Sequence, residues 1–319
     1  MSREGEKVCV TGASGYVASW LVKLLLHRGY TVKATVRNLR DPRKTEHLKA
    51  LEGAEERLEL LEADLTDEGS FDSVIHGCVG VFHTASPAIF VTTNPQADLI
   101  DVAVKGTLNV LKSCHETKSV RRVVLTSSIV TIVYNEKYIG PGVVVDETWH
   151  SDPAFYEKNK EWYMLSKTLA EQAAWKFANE NGIDLVVMNP GIVLGPLLQP
   201  TLNISSQFVL DVIKGKPRFP FYQCVDVRDV AHAHIMGFEK SSACGRYLLV
   251  GESLTHLQLR QLLHKLYPSN VDAPTSVEEN PIGEVSKKKA ASLGVSFMPV
   301  EVSLKDIVES LKEKNFLNF

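Results

Sequence analysis

Apolar positions along the first 190 residues recur with two alternating periods. Val8–Val10 is a short apolar run that ends at Thr11-Gly12. From Tyr16 to Arg28 the positions Val17, Trp20, Leu21, Leu24 and Leu25 follow i, i+3, i+4 spacing, which predicts a helix, and Gly29 stands where such a helix closes. Thr31–Val36 is β-branched and reads as a second strand, Leu58–Leu61 as a third, with short helices over Thr45 to Leu51 and Phe71–Ile75. Val79–Phe82, Val123–Leu125 and Leu185–Met188 read as further strands. Long helices are predicted over Asp98 to Lys118 and Trp162 to Asn181, the latter amphipathic and ended by Gly182. Strands and helices joined by short connections predict an α/β fold, a Rossmann-type doubly wound parallel sheet with helices on both faces. After Pro190 the alternation lapses, and Gly191, Gly195, Pro196, Pro200, Gly215, Pro217 and Pro220 interrupt the chain. Residues 1–189 therefore read as a nucleotide-binding domain and residues 190–319 mainly as a smaller C-terminal substrate-binding region. Val225–Ala233 and Tyr247–Val250 are expected to return to the first body.

Composition narrows the class. The 319 residues carry a formal net charge of −3, with 44% hydrophobic and 23% charged residues, near the globular average. A near-balanced charge argues against a dedicated nucleic-acid binder. No stretch reaches the ~20 apolar residues of a membrane span. Met1 to Lys7 is polar and Val8–Val10 is too brief for a signal peptide. Cys9, Cys78, Cys114, Cys224 and Cys244 are odd in number and form no CxxC pair, so neither a disulfide scaffold nor a metal site is expected, and a reducing, cytoplasmic location is. Lys287-Lys288-Lys289 reads as a solvated face.

Between the first strand and helix lies Thr11-Gly12-Ala13-Ser14-Gly15-Tyr16-Val17-Ala18. Gly12 suits a tight turn, Gly15 lets backbone approach a pyrophosphate, and Ala18 stands where a small residue packs helix on strand. The helix N-terminus adds free N–H groups and partial positive charge. The second strand ends at Val36-Arg37-Asn38, where an NAD-binding chain commonly shows an acidic residue. Arg37 instead offers a guanidinium to a 2′-phosphate, with Arg40, Arg43 and Lys44 adding charge nearby, which favours NADP(H). Asp64-Leu65 follows the third strand, where Asp64 suits either a helix cap or the adenine amine. Thr84-Ala85-Ser86 closes the fourth strand with small residues beside the dinucleotide path.

Tyr163 and Lys167 stand four apart in a predicted helix and so share a face. A free tyrosine has a pKa of about 10, and a neighbouring ammonium is expected to lower it toward the working range of an acid–base catalyst. Thr126-Ser127-Ser128 places a hydroxyl at the carboxyl end of the fifth strand, where ligands bind in open α/β sheets.

Several segments together carry a resemblance: Val10–Tyr16, Ala34–Arg37, Gly80–Pro87, Lys105-Gly106-Thr107, Thr126–Ser128, Ser166–Glu171 and Gly195–Thr201. On these the chain resembles an extended short-chain dehydrogenase/reductase of the plant dihydroflavonol reductase and cinnamoyl-CoA reductase group. The resemblance implies a Ser–Tyr–Lys triad of Ser128, Tyr163 and Lys167, with Ser127 the alternative serine, and NADPH as hydride donor. It also implies cofactor contacts from Gly12–Ala18, Arg37, Lys44, Asp64, Leu65, Thr84, Ala85, Ser86, Pro190, Gly191, Ile192, Val193 and Ser205, besides Tyr163 and Lys167.

Departures from the group point to the substrate. The sequence Glu161-Trp162-Tyr163-Met164-Leu165-Ser166-Lys167 differs from the Asn-Trp-Tyr-Cys-Tyr-Gly-Lys of cinnamoyl-CoA reductases. Apolar Val133 stands near the position where dihydroflavonol reductases carry Asn or Asp, and an apolar wall leaves flavonoid hydroxyls unpaired. Asp146–Trp149, Ser151–Phe155 and Ser310–Phe316 look most like the branch similar to phenylacetaldehyde reductases and short-chain cinnamyl-alcohol dehydrogenases. Phe90 and Phe219-Pro220-Phe221-Tyr222 are candidates to line an aromatic pocket, against ordinary packing. The expected activity is NADPH-dependent reduction of a small aromatic aldehyde. The alternatives are dihydroflavonol or cinnamoyl-CoA reduction, a non-catalytic NADP(H) sensor, and nucleotide-sugar epimerisation or dehydration.

Overall fold

Successive residues of β1 (Lys7–Thr11) enter opposite cores: Val8 and Val10 pack in one apolar cluster and Cys9 in the other. That period of two, with both faces covered, is what a buried parallel strand requires. A computed structural model describes residues 5–89, 92–133, 142–216, 219, 221–274 and 283–319. β1 is followed by α1 (Tyr16–His27), β2 (Thr31–Val36), α2 (Pro42–Lys49), α3 (Ala54–Arg57), β3 (Leu58–Glu62), α4 (Asp72–Ile75) and β4 (Gly80–His83). A π-helical turn, Gln96–Ile100, leads into α5 (Asp101–Glu116), β5 (Arg122–Thr126), α6 (Val130–Val133), β6 (Val144–Val145), α7 (Pro153–Lys158), α8 (Trp162–Asn181) and β7 (Leu185–Pro190). Then come β8 (Ile192–Leu194), α9 (Ile204–Ile213), β9 (Phe221–Asp226), α10 (Val227–Glu239), β10 (Gly245–Leu249), β11 (Glu252–Thr255) and α11 (His256–Leu266). The chain closes with β12 (Glu284–Val285), α12 (Lys288–Ser292) and α13 (Val300–Glu313).

The main sheet has seven strands in the order β10-β7-β5-β4-β1-β2-β3, every pairing parallel. The expected doubly wound α/β sheet is therefore present, and strand order reverses between β1 and β4. One face is covered by α1 and α10, which pack on each other, and the other by α5 and α8. A second sheet, β11-β9-β8, and a two-stranded pair, β12-β6, lie outside it. β10 completes the edge of the main sheet beside β7. The stretch Val225–Ala233 straddles two roles, its first residues in β9 of the small sheet and the remainder in α10 against the large one.

Several boundaries differ from expectation for local reasons. α2 starts three residues before Thr45, because Asp41 accepts from the Arg43 N–H as its cap and Pro42 occupies the first helical turn. The helix expected from Asp98 opens with the wider π turn and becomes α-helical only at Asp101. Most tellingly, α8 is not cleanly amphipathic: its buried residues include Ser166, Lys167, Thr168 and Glu171 among Met164, Leu165, Ala170, Ala174 and Ala178. All five cysteines are free, Cys244 exposed and the others buried. No helix among the described residues is long and apolar enough to cross a membrane.

Candidate active site

β1 delivers Gly12 to the carboxyl edge of the sheet, at the reversal of strand order where open α/β sheets hold ligands. Gly12 has φ +65°, and a Cβ there would lie 3.0 Å from the Cα and Cβ of Ala85, so only glycine fits. The turn is fixed by Gly15 N–H on the Gly12 carbonyl (2.9 Å) and by Gly12 and Ala13 N–H groups on the hydroxyl and carbonyl of Thr35 (3.1 and 2.8 Å). No side chain caps α1 at Gly15, which leaves its first N–H groups for an anion. The Tyr16 hydroxyl donates to the Gly195 carbonyl (2.7 Å) and Trp20 Nε1 to that of Pro196 (2.8 Å), so α1 clamps the segment crossing the cleft.

That cleft has a volume of about 880 Å³ and is lined by Gly12, Ser14–Ala18, Arg37, Lys44, Asp64, Leu65, Thr84–Ser86, Ser128, Tyr163, Lys167, Pro190–Val193 and Ser205. Of the triad and cofactor-contact residues implied by the resemblance, all border this one space except Ala13, which is fully buried beneath the turn. Of the four basic residues after β2, Arg37 and Lys44 border the cleft. Arg43 is instead bound to Asp41 (3.1 Å), and Arg40 does not line the cleft. Asp64 borders the cleft and caps no helix; its Oδ1 accepts from the Thr66 N–H (2.9 Å) and hydroxyl (2.7 Å), which hold its carboxyl below the usual range.

At the other end the two serines part. Both border the cleft, but Ser127 is buried and donates its hydroxyl to Glu171 Oε2, whereas Ser128 is half-buried beside Tyr163 and Lys167. Lys167 Nζ donates to the Thr126 carbonyl (3.0 Å) and to Ser86 Oγ (3.5 Å). Burial pulls Lys167 down to about 8, with Glu171 opposing it, and pushes Tyr163 up to about 12. The lowered tyrosine pKa expected from the sequence is therefore corrected: desolvation of the phenolate outweighs the ammonium one turn away.

Two histidines brace these strand ends and were not legible as such. The Thr11 hydroxyl accepts from the N–H groups of Thr84 and Ala85 (3.1 Å each) and so donates to His83 Nδ1 (2.8 Å), leaving Nε2–H for Thr107 (3.3 Å). Burial lowers His83 to about 3, so it stays neutral. His234 Nδ1–H donates to the Val230 carbonyl (2.7 Å), and its Nε2 accepts from the Thr126 hydroxyl (2.7 Å). Thr126 is thereby fixed while its carbonyl holds Lys167.

The same cleft is also bordered by the apolar residues Ile89, Val130, Met164, Leu202, Phe208, Phe219 and Phe221. Phe208 and Phe219 meet edge-on with centroids 5.1 Å apart. Val133 is not part of this wall: it is 2% exposed and packs with Ile129, Ile132, Val145, Leu248 and Val250, so Ile129 and Val130 face the cleft in its place. Tyr222 is also a core residue, while Phe90 and Pro220 lie outside the described residues. A Cβ on Gly191 would sit 2.2 Å from the Gln223 carbonyl oxygen, which explains glycine where the small sheet joins the large one.

The residues present fit a dinucleotide. The glycine turn is too tight for a Cβ, two cations border the cleft, Arg37 just after β2 and Lys44 on α2, and the Gln199 amide, 2% exposed and bordering the cleft, has neither atom hydrogen-bonded.

Residues 8–251 match the model of the NAD dependent epimerase/dehydratase family. The chain is 55% identical to cinnamoyl-CoA reductase CAD2 of Medicago truncatula, over 99% of either chain. It is 34% identical to the crystal structure of vestitone reductase from alfalfa, covering 98% of this chain and 99% of that one with a TM-score of 0.84. Yeast methylglyoxal/isovaleraldehyde reductase Gre2, solved with NADPH, superposes with a TM-score of 0.87 at 29% identity, covering 98% of this chain and 100% of that one. The chain belongs to the NAD dependent epimerase/dehydratase family and, within it, is an oxidoreductase of the extended short-chain dehydrogenase/reductase type.

Proposed function

We propose that the protein is an NADPH-dependent reductase of small aromatic aldehydes, of the phenylacetaldehyde or cinnamaldehyde type. The observation that carries this reading is one continuous cleft with three parts. The glycine turn with Arg37 and Lys44 forms one part of its lining, Ser128, Tyr163 and Lys167 a second, and the apolar aromatic residues Phe208, Phe219 and Phe221 a third. NADP(H), when bound, supplies the hydride; the reductase relative solved with NADPH supports that choice. Arg37 and Lys44 then bind its 2′-phosphate. Residues 1–189 mainly build the cofactor platform and residues 190–319 mainly shape what reaches it.

Ser128 orients the carbonyl oxygen by donating its hydroxyl proton. Tyr163, kept neutral by burial, gives its proton to the developing alkoxide. An alkoxide is a far stronger base than a phenolate, so a raised phenol pKa suits this direction. Lys167 then stabilises the phenolate and returns a proton to it. Phe208, Phe219 and Phe221 bury the aromatic ring and exclude water around the reacting centre.

A second reading, reduction of a cinnamoyl-CoA thioester, is favoured by the 55% identity to a cinnamoyl-CoA reductase. NADPH oxidation measured across phenylacetaldehyde, cinnamaldehydes, a dihydroflavonol and a cinnamoyl-CoA separates the two. Highest kcat/KM on the free aldehydes is expected. Turnover confined to the CoA thioester would replace the first reading with the second.

A further inference from the structure

Directly behind the triad lies a buried polar cluster to which the mechanism above gives no task. Its centre is Glu171, 4% exposed, one turn beyond Lys167 and two beyond Tyr163 on α8. Glu171 Oε2 accepts from the Ser127 hydroxyl, from Thr131 Oγ1 (2.8 Å) and from Asn189 Nδ2 (2.9 Å). Its other oxygen faces Arg246 Nε at 2.7 Å. Thr131 Oγ1 and Asn189 Nδ2 also reach the Ser128 carbonyl, at 2.9 and 3.2 Å. Ser127, Thr131, Asn189 and Arg246 are each less than a tenth exposed. One carboxylate thus ties together the turn after β5, the end of β7, the edge strand β10 and the helix bearing Tyr163 and Lys167.

We infer that Glu171 is the positioning residue of this site, seating the turn that carries Ser128 at a fixed distance from the helix that carries Tyr163 and Lys167. A buried ion pair gives little net stability over well-packed apolar residues. Its distinctive property is a unique geometry, and a triad on two separate elements needs that. Thr131 and Asn189 hold Ser128 through its carbonyl, and its hydroxyl oxygen accepts from the Val130 N–H (3.4 Å), so the hydroxyl proton stays available to the cleft. The same carboxylate favours the charged form of Lys167 against burial. The other groups around that ammonium are Tyr163 on α8, neutral His83 on β4, the Ser86 hydroxyl and the Thr126 carbonyl. Around Glu171 itself stand Arg246 and His150, whose Nδ1 is 3.4 Å from Arg246 Nη1, while Glu147 acts on Arg246 from the same side.

The inference rests on the reductase reading, and the two fail differently. Absence of NADPH oxidation by the wild-type chain with any aromatic carbonyl counts against that reading, whereas only the ratio of variant to wild type bears on Glu171. The test compares full-length Glu171→Gln and Ser127→Ala with wild type by kcat, aldehyde KM, NADPH affinity from fluorescence titration, and the pH profile of kcat. Glu171→Gln is expected to lower kcat about 10- to 100-fold with NADPH affinity retained, and to move the alkaline limb of the profile to lower pH. Ser127→Ala, which leaves the ion pair in place, is expected to lower kcat with the limb unmoved. A folded Glu171→Gln with wild-type kcat and profile would overturn the proposal. Should that variant fail to fold, Ser127→Ala decides, and an unchanged kcat there counts against it.

Discussion

Desolvation acts on Tyr163 and Lys167 in opposite directions, and that opposition sets the chemistry of α8. It raises the phenol to about 12 and lowers the ammonium to about 8, because in each case the neutral form is favoured. Near neutral pH the tyrosine holds its proton and the lysine retains most of its charge. Reduction needs both, so kcat for aldehyde reduction should be level near pH 7 and fall as pH rises through about 8, as Lys167 discharges; a profile flat to pH 10 would contradict this. The sign for stability is the reverse. Between about 8 and 10.5 the unfolded chain binds the extra proton, so this one group favours the folded state more as pH rises across that window. At the cofactor end, Arg37 is the exposed cation bordering the cleft. Arg37→Ala should weaken NADPH binding about 10- to 100-fold, the worth of a charge-assisted hydrogen bond, and NADH binding much less. Fluorescence titration with both nucleotides checks it.

At the scale of elements, position is set by contacts that cross between the two sheets. α1 holds Gly195 and Pro196 through Tyr16 and Trp20, and Ser310 of α13 accepts from the Leu197 N–H (3.0 Å). α10 reaches α13 through Arg228, which bridges Asp226 and Asp306 at 2.8 and 2.7 Å. Asp229 on α10 accepts from the Met298 N–H (2.7 Å) just ahead of α13. Burial raises its carboxyl to about 6, aided by Asp226 and opposed by the Met298 N–H and Arg228. A carboxyl raised on folding favours the native state while protonated, and that advantage is lost as pH rises through about 6. Asp229→Asn keeps the acceptor without the charge. It should therefore raise Tm at pH 8 and leave it unchanged near pH 3, as followed by thermal unfolding. An equal shift at both values would remove the buried charge as its cause.

Across the whole molecule, the parallel sheet was legible because its strands are short, β-branched and separated by helices with clear apolar spacing. The glycine turn and the Tyr163–Lys167 pair were legible for a related reason, since each depends on residues close in sequence. What was hidden depends on residues far apart. β9 escaped notice because Phe221–Asp226 mixes cleft-facing, core and capping residues rather than alternating, and Asp226 itself caps α10. Val133 read as a cleft residue until the short helix α6 turned it into the core. Glu171 stood in view four residues after Lys167, yet its partners Ser127, Thr131, Asn189 and Arg246 span more than a hundred positions. The helix read as amphipathic buries Ser166, Lys167, Thr168 and Glu171 together with its apolar residues, because its polar side carries the chemistry.

The central claim is that Tyr163 protonates the oxygen of an aldehyde as NADPH reduces it. The most direct test follows NADPH oxidation and alcohol formation with phenylacetaldehyde in wild type and Tyr163→Phe, with NADPH affinity measured on both. Equimolar NADPH loss and alcohol gain are predicted for wild type. The variant should be slower by about 10²- to 10⁴-fold at unchanged NADPH affinity. Turnover by Tyr163→Phe within a few-fold of wild type would contradict the account.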